Sequence, residues 1–256
     1  MKSTIALSFL LIVLVSCQES QTDVPAVIDN ISYPAEIQKI FSAHGDLNTW
    51  NKYQAMSYEI DKEEVNEKQF IDLNDRRERI EAENVSMGFD GINFWMEADS
   101  TFKGNPIFYK NLMFYFYAMP FVLADPGIIY TSAEPLVYDG QSYPGFRISY
   151  QSDIGVSPED EYFLHYNPET FKMEWLGYTV TYFSKEKSTA IKWIRYDDWK
   201  DINGLQLPNS LAWYTLEEDK PVELRNRLNF KNVLLSETAH PNSVFEKTAN
   251  AKIVTE

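Results

Sequence analysis

One cysteine, Cys17, is all that the 256-residue chain has, so an internal disulfide is excluded. Basic side chains are also short, 23 against 38 acidic, for a formal charge of −15. That balance denies the protein the basic face that displaces counterions from nucleic acid, and nucleic acid is excluded as a partner. It also opposes flat electrostatic docking on an anionic bilayer. Histidine is limited to His44, His165 and His240, none at metal-ligand spacing from another. With ten glycines there is no phosphate-cradling loop, and neither HExxH nor GxSxG occurs. Asp197, Asp198 and Asp201 lack the alternating oxygen ligands and distal glutamate of a calcium loop and read as a solvated turn. Beyond the N-terminus no apolar run reaches the roughly 20 residues of a membrane span. No cofactor or metal is implied, and a non-catalytic protein is expected.

What the chain does have begins at its N-terminus. Lys2 and the apolar residues 5–15 form a secretory signal pattern, followed by Leu14-Val15-Ser16-Cys17, which resembles the bacterial lipobox. Cleavage at that site makes Cys17 the acylated first residue. Each buried acyl methylene contributes about 0.8 kcal/mol, so several chains anchor such a protein firmly on a membrane. The expected address is the cell envelope, on the outer membrane facing the periplasm. Residues 1–16 are then the signal peptide, 17–34 a flexible tether, 35–235 a folded domain and 236–256 a polar C-terminal tail.

Within the domain, 44% hydrophobic and 15% aromatic residues over the chain are ample for a core. Ile37, Ile40 and Phe41 recur at helical spacing over residues 35–42. From Met56 onward, period-2 alternation dominates, broken by turn signals. Phe89-Asp90-Gly91 and Tyr138-Asp139-Gly140 predict hairpins whose two turn residues take positive φ. Asn167-Pro168-Glu169-Thr170 suits a type I turn. One block departs from this rhythm. Residues 107–124 are apolar save for Lys110 and Asn111, and predict about three helical turns over 106–118, ended by Pro120. The fold class is therefore α+β, a long antiparallel sheet with segregated helices.

Three stretches carry a family resemblance. Phe89-Asp90-Gly91 with Trp95 comes first, then residues 162–170 (YFLHYNPET), then 196–208 (YDDWKDINGLQLP). In this order they resemble the lipoprotein-carrier superfamily, the periplasmic carriers and receptors that move lipoproteins to the outer membrane, and more closely uncharacterised lipoproteins of Bacteroidota. The resemblance covers residues 35–235. It implies a half-open β-barrel, a curved antiparallel sheet with helices packed in its concave face, enclosing a cavity for acyl chains. The carriers' Arg-Pro-x-x-Phe-Arg-Trp-type strand is absent and Arg76-Arg77-Glu78-Arg79 offers only a loose parallel, so no lid-locking arginine is transferred.

Three functions are weighed. In the first, an anchored protein binds acyl chains or lipid in its cavity. Its candidate lining is Phe108, Leu112, Tyr115, Phe116, Met119 and Phe121 from the apolar block, with Tyr162, Trp175 and Tyr178 from the strands. Tyrosine and tryptophan suit walls where an apolar body meets a polar edge. In the second, the same fold serves as an envelope assembly adaptor: the aromatics are core, and a protein partner binds elsewhere. The third is a hydrolase, for which no residue set is assembled.

Overall fold

The computed structural model describes residues 33–62, 66–151, 160–184 and 186–255. The signal segment, Cys17 and the tether up to residue 32 lie outside these. The first helix, α1 (Ala35–Ala43), follows Pro34 and buries Ile37, Ile40 and Phe41 on one face. Gly45 turns the chain into α2 (Leu47–Trp50) with φ +108°, and a Cβ there would lie 2.2 Å from the Gly204 carbonyl oxygen. Any L side chain meets both a strained backbone and a collision. Gly45→Ala is therefore expected to cost at least about 1–3 kcal/mol, read as a lowered urea midpoint.

Five strands follow as an antiparallel meander: β1 (Ala55–Ile60), β2 (Glu67–Asp72), β3 (Glu78–Ala82), β4 (Val85–Phe89) and β5 (Phe94–Ala98). The chain then leaves the sheet through α3 (Pro106–Tyr109), α4 (Leu112–Tyr117) and a 3-10 turn, Phe121–Ala124. It returns as β6 (Ile128–Tyr138), β7 (Gln141–Tyr150), β8 (Tyr162–Tyr166), β9 (Met173–Tyr178) and β10 (Lys192–Arg195). A small hairpin, β11 (Trp199–Ile202) with β12 (Leu205–Pro208), precedes β13 (Ser210–Glu217) and the long β14 (Lys220–Ser236). Last comes β15 (Lys252–Val254).

Thirteen of these strands form one sheet in the order β15-β5-β4-β3-β2-β1-β14-β13-β10-β9-β8-β7-β6. This is the expected curved, open antiparallel sheet. Its connectivity explains the apolar block. β5 lies beside one edge and β6 is the other edge, so the segment between them must cross a face of the sheet. Phe114, Tyr117 and Leu123 accordingly share a core with Met56 and Ile60 of β1, Phe230 of β14, and Leu164 and Leu176 of β8 and β9. Segments this short leave most of their carbonyls without helical partners. Tyrosines from the surrounding chain supply them. Tyr196 donates to the Phe116 carbonyl at 2.8 Å, Tyr33 to that of Ala124 at 3.3 Å, and Tyr130 to that of Leu123. Part of the tyrosine surplus is thus structural.

Three sequence expectations change. The single helix over 106–118 is two short helices, because Lys110 is extended (φ −52°, ψ 123°) and Asn111 is left-handed (φ 54°). Asp139 and Gly140 do form a hairpin turn with positive φ, whereas at Asp90-Gly91 only Gly91 does. There Asp90 instead accepts the backbone N–H groups of Ile92 and Asn93, making a longer loop. The segment read as a polar tail packs back on the domain, burying Phe245 and adding β15 beside β5. Among the described residues no helix is long and apolar enough to cross a membrane.

Candidate functional site

The break between α3 and α4 leaves a cavity of about 250 Å³ beneath the crossing segment. On one side stand Ile107 and Phe108 of α3, the joint residues Lys110 and Asn111, and Leu112, Tyr115 and Phe116 of α4. Tyr150 at the end of β7, Asp160 and Tyr162 at the start of β8, and Tyr182 beyond β9 face them, with Asp125 and Pro126 at the entry to β6. Strand alternation explains the sheet side: Ile148 and Tyr150 are two apart, as are Tyr162 and Leu164, so each pair shares the helix-bearing face.

Ring contacts frame the space. Phe108 meets Tyr182 at 5.0 Å and the exposed Phe183 at 4.9 Å, while Tyr150 and Tyr162 meet edge to face at 6.1 Å. Phe116 packs on Tyr178 at 4.9 Å. The few charged groups have partners of their own. Asp125 pairs with Arg76 at 2.7 Å, Asp160 accepts from the Thr181 N–H and hydroxyl, and the Lys110 ammonium lies 3.9 Å from the centre of the Phe89 ring. Burial raises the pKa values of the Tyr115, Tyr150 and Tyr162 hydroxyls, which stay neutral donors. Burial also lowers that of Lys110. The arrangement is an apolar recess with hydroxyls and carboxylates at intervals. Among the described residues there is no group of three or more His, Cys, Asp or Glu side chains that could hold a metal ion.

Of the nine candidate lining residues, five come together here: Phe108, Leu112, Tyr115, Phe116 and Tyr162. The other four do not line it. Met119 and Phe121, beyond the end of α4, are buried in the main core, where Phe121 stacks on Trp50 at 4.9 Å. Tyr178 sits in the core behind Phe116, its hydroxyl accepting from Trp213 Nε1 at 3.1 Å. Trp175 faces the opposite side of the sheet, in a separate cluster with Leu136, Tyr143 and Trp193. Parity forbids the grouping first expected: residues 175 and 178 of one strand are an odd number apart and project to opposite faces. Tyr150 and Tyr182 are the aromatic wall residues outside the nine candidates, and for Tyr150 the alternation with Ile148 carried the signal.

A family model described as a family of unknown function (DUF6503) matches residues 98–229, just over half of the chain and every residue of the cavity wall. The chain belongs to the DUF6503 family. No curated protein matches it in sequence. Among solved structures, the fold is similar to that of a LolA superfamily protein from Nitrosomonas europaea, with 10% identity and a TM-score of 0.49 over 82% of this chain and 97% of that one. A DUF1329 family protein from Desulfovibrio piger gives 9% and 0.48 over 83% and 96%. A putative outer membrane lipoprotein-sorting protein domain from Vibrio parahaemolyticus gives 7% and 0.36 over 75% and 87%.

Proposed function

We propose that this DUF6503 chain is a lipid-anchored, non-catalytic protein of the bacterial envelope that binds an apolar ligand, an acyl chain or similar lipid segment, in the cavity beneath α3 and α4. The observation that carries the reading is the cavity itself, walled by Phe108, Leu112, Phe116, Tyr150 and Tyr162. Ligand sites are mostly apolar concavities with a few placed polar groups, and that is the composition of this wall. An apolar cavity of about 150 Å³ already holds benzene, so about 250 Å³ admits one chain segment rather than a bundle of chains. The lipobox-like Leu14-Val15-Ser16-Cys17 supports the anchor and the address.

Protein lacking residues 1–17 should release a lipid on solvent extraction, seen by native mass spectrometry, and then take up a fluorescent fatty acid. Leu112→Trp, which adds volume at a half-exposed wall position, should weaken that uptake at least tenfold, about 1.4 kcal/mol, with the urea midpoint nearly unchanged. A cavity that is empty before extraction and indifferent to the probe would leave the adaptor reading in its place.

A further inference from the structure

Glu78 and Asn111 meet at the joint of the cavity wall, and each is 2% exposed. Glu78 Oε2 accepts the Asn111 backbone N–H at 2.8 Å, and Asn111 Nδ2 donates to the Arg76 carbonyl at 3.1 Å. The remaining oxygens of both side chains, Glu78 Oε1 and Asn111 Oδ1, are buried without a hydrogen-bond partner. For an ionised glutamate both are acceptors, and neither can satisfy the other. Turning the Asn111 amide over does not help, because an oxygen would then face the Arg76 carbonyl. A proton on Oε1 turns one of these two unpartnered acceptors into a donor.

We infer that Glu78 is a neutral carboxylic acid in the native protein, sharing its proton with Asn111 Oδ1, and that this clamp is the positioning element that fixes the α3–α4 joint and the cavity wall. Lys110 and Asn111 are the two residues that turn one helix into the next, and both line the cavity. The surroundings favour neutrality. Glu67 of β2 is the buried carboxylate whose charge bears on Glu78, and its oxygens are already held by Lys62, by Gln69 Nε2 at 2.6 Å and by the Tyr109 hydroxyl at 2.9 Å. With the Glu67 oxygens held by these donors, Glu78 is the carboxyl left with an unpartnered buried oxygen. Tyr58 of β1, Tyr109 of α3 and Tyr115 of α4 also face Glu78, as does Lys110. Burial lifts the Glu78 carboxyl to about 8; Glu67 adds to this, and the Asn111 N–H and Lys110 oppose it.

The sign of the pH dependence follows. The folded state keeps a proton that the unfolded chain releases near 4.5, so stability falls as pH rises from about 4.5 to about 8 and then levels. His44 acts in the opposite direction at the acid end. Burial lowers it from 6.5 to about 4, so its contribution is lost as pH falls through that interval. The interval from 6.5 to 8 is therefore where Glu78 is visible.

The test uses the full chain in mild detergent, wild type and Glu78→Gln, followed by melting temperature against pH and by NMR of ¹³C-labelled glutamate carboxyls. The glutamine amide can donate to Asn111 Oδ1 and accept from its N–H, reproducing the neutral acid. Expected are a wild-type melting temperature that drops by several degrees from pH 6.5 to 8 and a Glu78→Gln protein at least as stable with that slope removed. One glutamate resonance should titrate near pH 8 in the wild type and be missing from the variant. A flat or rising wild-type profile, no glutamate titrating above pH 7, or a variant that melts lower at every pH or does not fold would each overturn the clamp. The consequence for binding rests on the ligand reading above: fluorescent fatty acid should bind several-fold more weakly above pH 8 to the wild type only. Absence of probe binding at every pH, with the melting slope intact, overturns the ligand reading and leaves the clamp standing.

Discussion

Phe121→Ala is expected to lower the unfolding free energy by about 3–5 kcal/mol and to leave ligand uptake in the folded protein unchanged. Phe121 is 1% exposed, and its ring lies flat on Trp50, centroids 4.9 Å apart and planes 6° from parallel. Truncation removes the transfer energy of a whole ring and opens a void between the 3-10 turn and α2, which are too constrained to collapse into it. Leu112→Ala should behave in the reverse way. Leu112 is half-exposed on the cavity wall, so its loss costs little stability and reduces contact with a bound chain. Urea titrations of the two variants, with fluorescent fatty acid binding to each, separate the roles. If Phe121→Ala abolished binding at unchanged stability, the assignment of wall and core would be inverted.

The contrast shows which features the sequence made legible. An apolar block between two groups of strands is readable as a crossing segment, and the sheet order makes it one. Tyr162 was put forward for its aromatic character alone; alternation, applied strictly, would have sent Trp175 to the other face and added Tyr150. The break at Lys110 and Asn111 was not legible. Nothing local demands it, since the residue that holds it, Glu78, comes from a strand 33 positions earlier. Helical propensity lost there to a tertiary hydrogen bond. The tyrosines misled for a related reason: their hydroxyls cap carbonyls of short helices, a need that arises only once the helix is broken.

Deleting residues 237–256 should be the most damaging change on the opposite face of the sheet. Phe70, Arg79, Gly88 and Trp95 stand side by side across β2 to β5 in register, and so form one row on one face. Gly88 belongs in that row because a Cβ would come within 2.7 Å of the Trp95 ring, which lies across it. The C-terminal segment covers the row. Phe245 is 1% exposed, its carbonyl accepts from Trp95 Nε1 at 2.9 Å, its ring lies 4.8 Å from the Arg77 guanidinium, and His240 reaches Phe70. Beyond it, Lys252, Ile253 and Val254 pair with Met96, Trp95 and Phe94. The deletion strips a buried indole of its apolar cover and its hydrogen-bond acceptor, and it leaves β5 as a bare edge. Phe245→Ala alone should cost about 3–5 kcal/mol. The deletion should cost at least as much and also cause concentration-dependent self-association, because an uncovered strand edge pairs with other chains. Unfolding curves combined with size-exclusion chromatography at two concentrations measure both. A truncated protein that stayed monomeric with an unchanged midpoint would return residues 236–256 to the loose tail that their polarity suggested.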